Sequence, residues 1–134
     1  MLSDIKVLIV DDEERFLKTT KKIFEKSGME TQIATNGRDA MGILKDHPID
    51  VVILDIKMPG IDGVRVLRNI KEKYPLIEVI MLTGHATVKN AVKGVKFGAF
   101  EYLMKPCDPL ILSEKVNEAY NKKKAMEEKS KEKQ

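Results

Sequence analysis

Three uninterrupted aliphatic runs, Val7-Leu8-Ile9-Val10, Val51-Val52-Ile53-Leu54 and Val79-Ile80-Met81-Leu82, constrain the fold of this chain more than any other feature. Each has strand length, and each is followed by a segment with a helical apolar period. A strand that is apolar on both faces must be covered on both faces, which is the situation of a parallel sheet packed between helices. The intervening segments supply those helices. Phe16, Leu17, Thr20, Ile23 and Phe24 form a stripe that stops at Gly28. Asn36 is placed to cap a helix through Ala40, Ile43 and Leu44 that ends at His47-Pro48. Asp62 precedes a helix with Val64, Leu67 and Ile70 inward and Arg65, Arg68 and Lys71 outward, closed by Tyr74-Pro75. A fourth helix uses Val88, Ala91, Val92 and Val95 and closes near Gly98. Asp108-Pro109 opens a fifth, with Leu112, Val116, Ala119 and Tyr120 on one face. Two further strands, roughly Glu30 to Thr35 and Glu101 to Met104, carry Glu30, Gln32 and Glu101 and so belong at the edges. Five strands alternating with five helices predict a doubly wound α/β fold with a five-stranded parallel sheet.

Such a sheet binds ligands beyond the carboxyl ends of its strands. The residues that fall there are specific. The first run ends in Asp11-Asp12, the second in Asp55 ahead of Met58-Pro59-Gly60, the third in Thr83, and Tyr102-Leu103-Met104 ends in Lys105-Pro106. A carboxylate closing a buried strand before a Pro-Gly turn, as Asp55 does, is expected at an exposed rim. Three carboxylates, a hydroxyl and an ammonium on one rim suit a divalent cation and a phosphoryl group, and the set contains its own nucleophile. Adjacent Asp11 and Asp12 repel each other unless a cation lies between them. Mg²⁺ fits, since it takes hard oxygen ligands and pairs one or two carboxylates with phosphate oxygens.

Composition narrows the function classes. At 134 residues the chain has the length of one domain, and its 43% hydrophobic and 34% charged content suits a soluble globular protein. No apolar run approaches a membrane span, and Met1-Leu2-Ser3-Asp4 lacks a basic, signal-like start, which argues against export. Cys107 is the only cysteine, consistent with a reducing cytoplasm. The net charge of +3 resides in residues 121–134, where six lysines face three glutamates; 18 basic and 18 acidic residues remain before them. A neutral body without a basic recognition helix or zinc-ligand spacing argues against nucleic-acid binding.

Four motifs in order, Val10-Asp11-Asp12-Glu13, Leu54-Asp55 through Met58-Pro59-Gly60, Thr83-Gly84 and Tyr102-Leu103-Met104-Lys105-Pro106, resemble the receiver domain of bacterial two-component response regulators. The resemblance covers nearly all of residues 4–120. The stretch Thr83-Gly84-His85-Ala86-Thr87, with Gly98-Ala99-Phe100, looks most like receivers that precede transcriptional output domains. The resemblance implies a flavodoxin-like (βα)5 fold with strand order 2-1-3-4-5 and a cis bond before Pro106 that aims Lys105 into the pocket. It implies that Asp55 takes a phosphoryl group from a sensor histidine kinase or phosphotransfer protein. Asp12 would ligate Mg²⁺ directly, Asp11 largely through water, and Lys57 through its backbone carbonyl. Thr83 and Lys105 would grip phosphoryl oxygens, and Tyr102 would be the switch aromatic. A phosphorylation-driven change, and homodimerisation or partner docking, would then fall on the face shared by the fourth helix, fifth strand and fifth helix. Activity would be confined to the domain's own phosphorylation and dephosphorylation.

Several residues have bland readings beside sharp ones. Lys57 and His85 occupy positions that overhang the phosphoryl group in this family. Lys57 reads equally well as a shield against water or as a solvated loop lysine, and His85 better as an ordinary loop residue. Cys107 reads as inert. Gly94 and the β-branched residues around it make the fourth helix marginal. The receiver body is expected over residues 1–120. Residues 121–134, polar all round, form a charged tail or linker that extends the last helix through pairs such as Lys123–Glu127 and Lys124–Glu128. Two rival functions fit the same elements. A dehalogenase-class aspartyl-phosphate phosphatase would need a second Asp two positions after the first, where Glu13 stands. A flavodoxin-like flavin binder would need a phosphate-cradling loop where Asp11-Asp12-Glu13-Glu14 stands.

Overall fold

A computed structural model describes residues 5–58, 61–84 and 96–132. Five strands, β1 (Lys6–Val10), β2 (Glu30–Ala34), β3 (Val51–Leu54), β4 (Glu78–Thr83) and β5 (Glu101–Met104), form one parallel sheet in the order β2-β1-β3-β4-β5. This is the expected order, with the two polar strands at the edges. Around it lie α1 (Glu14–Lys26), α2 (Gly37–Asp46), α3 (Gly63–Lys73) and a C-terminal helix, Pro109–Glu132. The expected fourth helix, with Val88, Ala91, Val92, Gly94 and Val95, lies outside the described residues, as do His85 and the Pro59-Gly60 turn.

Period-two alternation in the strands divides the core into two layers. Leu8, Val10, Val52, Leu54, Val79 and Met81 face α2 and α3, meeting Ala40, Leu44, Leu67 and Ile70. Val7, Ile9, Val51, Ile53, Ile80 and Leu82 face α1 and the C-terminal helix, meeting Leu17, Phe24, Leu112, Val116 and Ala119. Local signals behave as their chemistry dictates. Asn36 Oδ1 accepts the Asp39 N–H at 2.8 Å, Asp108 Oδ1 accepts the Leu110 N–H at 2.9 Å, and α1 gives way to Gly28 at φ 88°. The Lys105-Pro106 peptide is cis.

Two lysines depart from the sequence reading. Lys71, expected on the outward face of α3, has a side chain only 19% exposed. Its Nζ donates to the carbonyls of Pro75 and Ile77, both at 2.9 Å, and lies 3.9 Å from buried Glu78. The long aliphatic stem lets the ammonium reach carbonyls at the helix end that periodicity does not reveal. Burial holds the Lys71 ammonium below the usual lysine range, against the pull of Glu78. Lys123, expected within a tail polar all round, is buried: it donates to Asp50 Oδ1 at 3.0 Å and to Glu127 at 3.2 Å, while Lys122 lies 3.5 Å from Glu78 Oε2. The Lys123–Glu127 pair is present; Lys124 meets Glu127 at 3.5 Å. The C-terminal helix therefore runs unbroken past residue 120 and stays fastened to the body. No helix among the described residues is long and apolar enough to cross a membrane.

Candidate functional site

The register of the sheet assembles the site. Val10 pairs with Leu54, so Asp11 and Asp55 emerge side by side; Asp55 N–H donates to the Val10 carbonyl at 3.0 Å. Asp11 N–H donates to the Ala34 carbonyl at 3.1 Å, fixing the residue as it leaves the sheet. Thr83 is fully buried at the end of β4, and its carbonyl accepts the Lys105 N–H at 3.0 Å. Lys105 thus leaves the far edge strand, yet its side chain spans the rim as far as Asp11.

Asp11, Asp12 and Asp55 each place a carboxylate oxygen within 4.8 Å of the others. The rim position expected for Asp55 is observed, but its exposure is not: only 6% of the residue is accessible. It is covered because Gly63 at the start of α3 packs against the Asp55 and Ile56 backbone and the Lys105 ammonium lies 3.8 Å from its carboxylate. Asp11 is also buried, whereas Asp12 is exposed. Burial pushes the Asp11 carboxyl above the ordinary aspartate range, and the hydrogen bonds from Lys105 and Glu13 N–H only partly offset this. Three clustered hard oxygen donors, two of them buried, fit a divalent cation such as Mg²⁺. The carbonyl of Lys57 belongs to a short antiparallel ladder, Lys57–Met58 with Ile61–Asp62, just past Asp55.

Lys105 is the hub. Its Nζ donates to Asp11 Oδ2 at 2.6 Å and Glu13 Oε1 at 2.9 Å, and lies 3.8 Å from Asp55 Oδ2. The same nitrogen sits 4.6 Å from the Phe16 ring centroid. Burial works against its charge, but the bonds to Asp11 and Glu13 and the field of Asp11 and Asp55 prevail, so the ammonium is held above its usual range. Tyr102 packs on the α3 side of the sheet, with its hydroxyl oxygen buried and lacking a hydrogen-bond partner among the described residues. Burial raises the Cys107 thiol, which favours the inert thiol form.

Two participants escaped the sequence reading. Glu13 carries a motif position but no periodic signal of its own, and Phe16 belongs to the α1 stripe and reads as core. Only the tertiary path of Lys105 reveals both. The phosphatase rival loses ground here too, since the residue two positions after Asp11 bonds the lysine instead of standing free as a second acid.

The family model for the response regulator receiver domain matches residues 7–117. A putative NtrX-like response regulator of Rickettsia felis is 41% identical over 107 residues, covering 78% of this chain and 22% of that protein. The chain thus spans about a fifth of the length of the curated relatives it matches. Among solved structures, a receiver domain protein from Clostridium thermocellum superposes with a TM-score of 0.85 at 41% identity, covering 91% of this chain and 98% of that one. The beryllofluoride-activated NtrC4 receiver domain dimer gives 0.83 at 36% identity, with 88% and 98% covered.

Proposed function

Because this chain belongs to the family of response regulator receiver domains, we propose that Asp55 is its phosphoacceptor and that the domain works as a Mg²⁺-dependent switch in two-component signalling. The observation that carries the assignment is the burial of Asp55 within a three-carboxylate cluster, with the Lys105 ammonium 3.8 Å away. The donor is the phosphohistidine of a sensor histidine kinase or phosphotransfer protein. An Asp55 carboxylate oxygen forms the new bond to phosphorus as the N–P bond breaks, and the electron pair leaves on the imidazole nitrogen.

The transition state spreads charge over the equatorial phosphoryl oxygens, so catalysis is positioning and electrostatic stabilisation. Lys105 is placed to donate to one such oxygen and the Thr83 hydroxyl to another. Asp12 and Asp55, with Asp11 largely through water and the Lys57 carbonyl, would hold Mg²⁺, which supplies further neutralisation of charge on those oxygens. The domain acts only on itself, by accepting the group and by hydrolysing the acyl phosphate. We place it in the cytoplasm, a reducing compartment suited to the lone Cys107, and set the receiver at residues 1–120 with 121–134 as its helical tail.

Output is assigned to the face that the expected fourth helix shares with β5 and the C-terminal helix, with Thr83 and Tyr102 as the switch pair and homodimerisation or partner docking as the readout. Met104 at the end of β5 and Leu110 and Ile111 on the C-terminal helix are 59%, 68% and 48% exposed, which supports docking at this end of the molecule. The NtrC4 receiver, described as a dimer when beryllofluoride-activated, offers a parallel. Acetyl phosphate with Mg²⁺ tests the reading: intact mass should rise by one phosphoryl group in wild type and not in Asp55→Ala. Equal labelling of the two proteins refutes it.

A further inference from the structure

Lys105 has three ammonium protons, and two are committed, to Asp11 Oδ2 at 2.6 Å and to Glu13 Oε1 at 2.9 Å. The distance of 3.8 Å to Asp55 Oδ2 is beyond hydrogen-bond reach, so among the described residues the third proton is uncommitted and can serve a group seated on Asp55. The two anchors differ in kind. Asp11 belongs to the three-carboxylate cluster, and its other oxygen already accepts the Glu13 N–H at 2.9 Å. A cation that engages Asp11, directly or through water, therefore competes for oxygens that now serve Lys105 or Glu13. Glu13 stands outside the cluster, with a side chain 63% exposed, and a cation makes no claim on it. The Phe16 ring, 4.6 Å from the ammonium, is likewise unclaimed and lies within cation–π range.

We propose that Glu13, assisted by the Phe16 ring, is a positioning residue that keeps the Lys105 ammonium over Asp55 when Asp11 turns to the cation. Glu13 makes no contact with the phosphoryl group and acts only through Lys105. The inference rests on the assignment of Asp55 and Lys105 above.

A double-mutant cycle tests it. At saturating Mg²⁺, Glu13→Gln should slow phosphorylation by acetyl phosphate about two- to fivefold, the range of an exposed ion pair. In the Lys105→Ala background the same substitution should cause no further loss, because its only route of action is gone. Beryllofluoride affinity should trace the same cycle where turnover is too slow to follow. A second readout is independent of turnover: Lys105 ammonium proton signals in wild type should survive addition of Mg²⁺, and in Glu13→Gln they should broaden into solvent exchange. An unchanged rate in Glu13→Gln, or an equal loss with and without Lys105, overturns the proposal. In either of those cases, labelling that still depends on Asp55 shows that the phosphoacceptor reading stands and only the role of Glu13 fails. Labelling that survives Asp55→Ala removes both.

Discussion

Gly63 should tolerate alanine far worse than Gly42 does. A Cβ built there meets only backbone: the Cα of Ile56, its carbonyl oxygen at 2.5 Å and the carbonyl oxygen of Asp55 at 2.8 Å. The contact with Ile56 O is roughly 1 Å inside the ordinary non-bonded separation of about 3.5 Å. No side chain can rotate away to relieve it, so the first turn of α3 must move off the end of β3. Overpacking of this kind costs about 1–3 kcal/mol, and alanine's better helix propensity returns at most about 1 kcal/mol. Gly63→Ala should therefore lose about 2 kcal/mol in urea denaturation. Because the displaced backbone includes Asp55, phosphorylation by acetyl phosphate should also slow, by roughly tenfold or more if the carboxylate shifts by a sizeable fraction of an ångström. Gly42, within α2, provides the opposite sign: a Cβ there meets nothing within 4 Å. Gly42→Ala should stabilise by about 0.5–1 kcal/mol and leave phosphorylation unchanged. If Gly63→Ala is as stable as wild type, or the two alanines shift stability in the same direction, the close-packing argument is wrong.

Three further outcomes follow from particular contacts. Lys123→Ala removes the ion partner of Asp50, which among the described residues keeps only the Lys6 N–H at 2.9 Å, and should cost about 2 kcal/mol, between the values for exposed and buried pairs, with faster tryptic cleavage after residue 120; a loss within error would show the helix is not fastened there. Asp12→Ala should weaken Mg²⁺ binding in a calorimetric titration more than Asp11→Ala, and equal affinity in both variants and wild type would remove this cation site. In metal-free buffer, burial raises the Asp11 carboxyl, so the folded state binds the proton more tightly than the unfolded chain. Stability from this group is full below the ordinary aspartate range and is lost as pH rises through the raised value. The stability of Asp11→Asn relative to wild type should accordingly grow with pH across that window, and a flat difference in pH-dependent denaturation would contradict it.

How much of this was legible in the sequence depends on whether a residue's partner is local. The aliphatic runs, the Asn36 and Asp108 caps and the stop at Gly28 rest on neighbours within a few positions, and they folded as read. The edge placement of β2 and β5 followed from Glu30, Gln32 and Glu101, polar residues that break the continuous aliphatic pattern of a strand covered on both faces. Lys71 and Lys123 were misread because helical periodicity assigns a lysine to solvent, while a long stem can carry its charge to a carbonyl or carboxylate from another element. The depth of Asp55 was missed for a related reason. Pro59-Gly60 announces a turn, but the cover over Asp55 comes from Gly63 and Lys105, whose positions depend on the register of the whole sheet. Glu13 and Phe16 gained a role only through that same reach of Lys105 across the rim.

The central claim is that the phosphoryl group resides on Asp55 itself. Borohydride reduces an aspartyl phosphate to homoserine, which marks the acceptor covalently. Wild-type protein treated with acetyl phosphate and Mg²⁺, reduced and digested, should yield homoserine at position 55 in the peptide that contains Leu54-Asp55-Ile56, with none at positions 11 or 12. Omission of Mg²⁺ should suppress the product. Homoserine at Asp11 or Asp12, or its absence from position 55 in protein that has gained a phosphoryl group, would contradict the account.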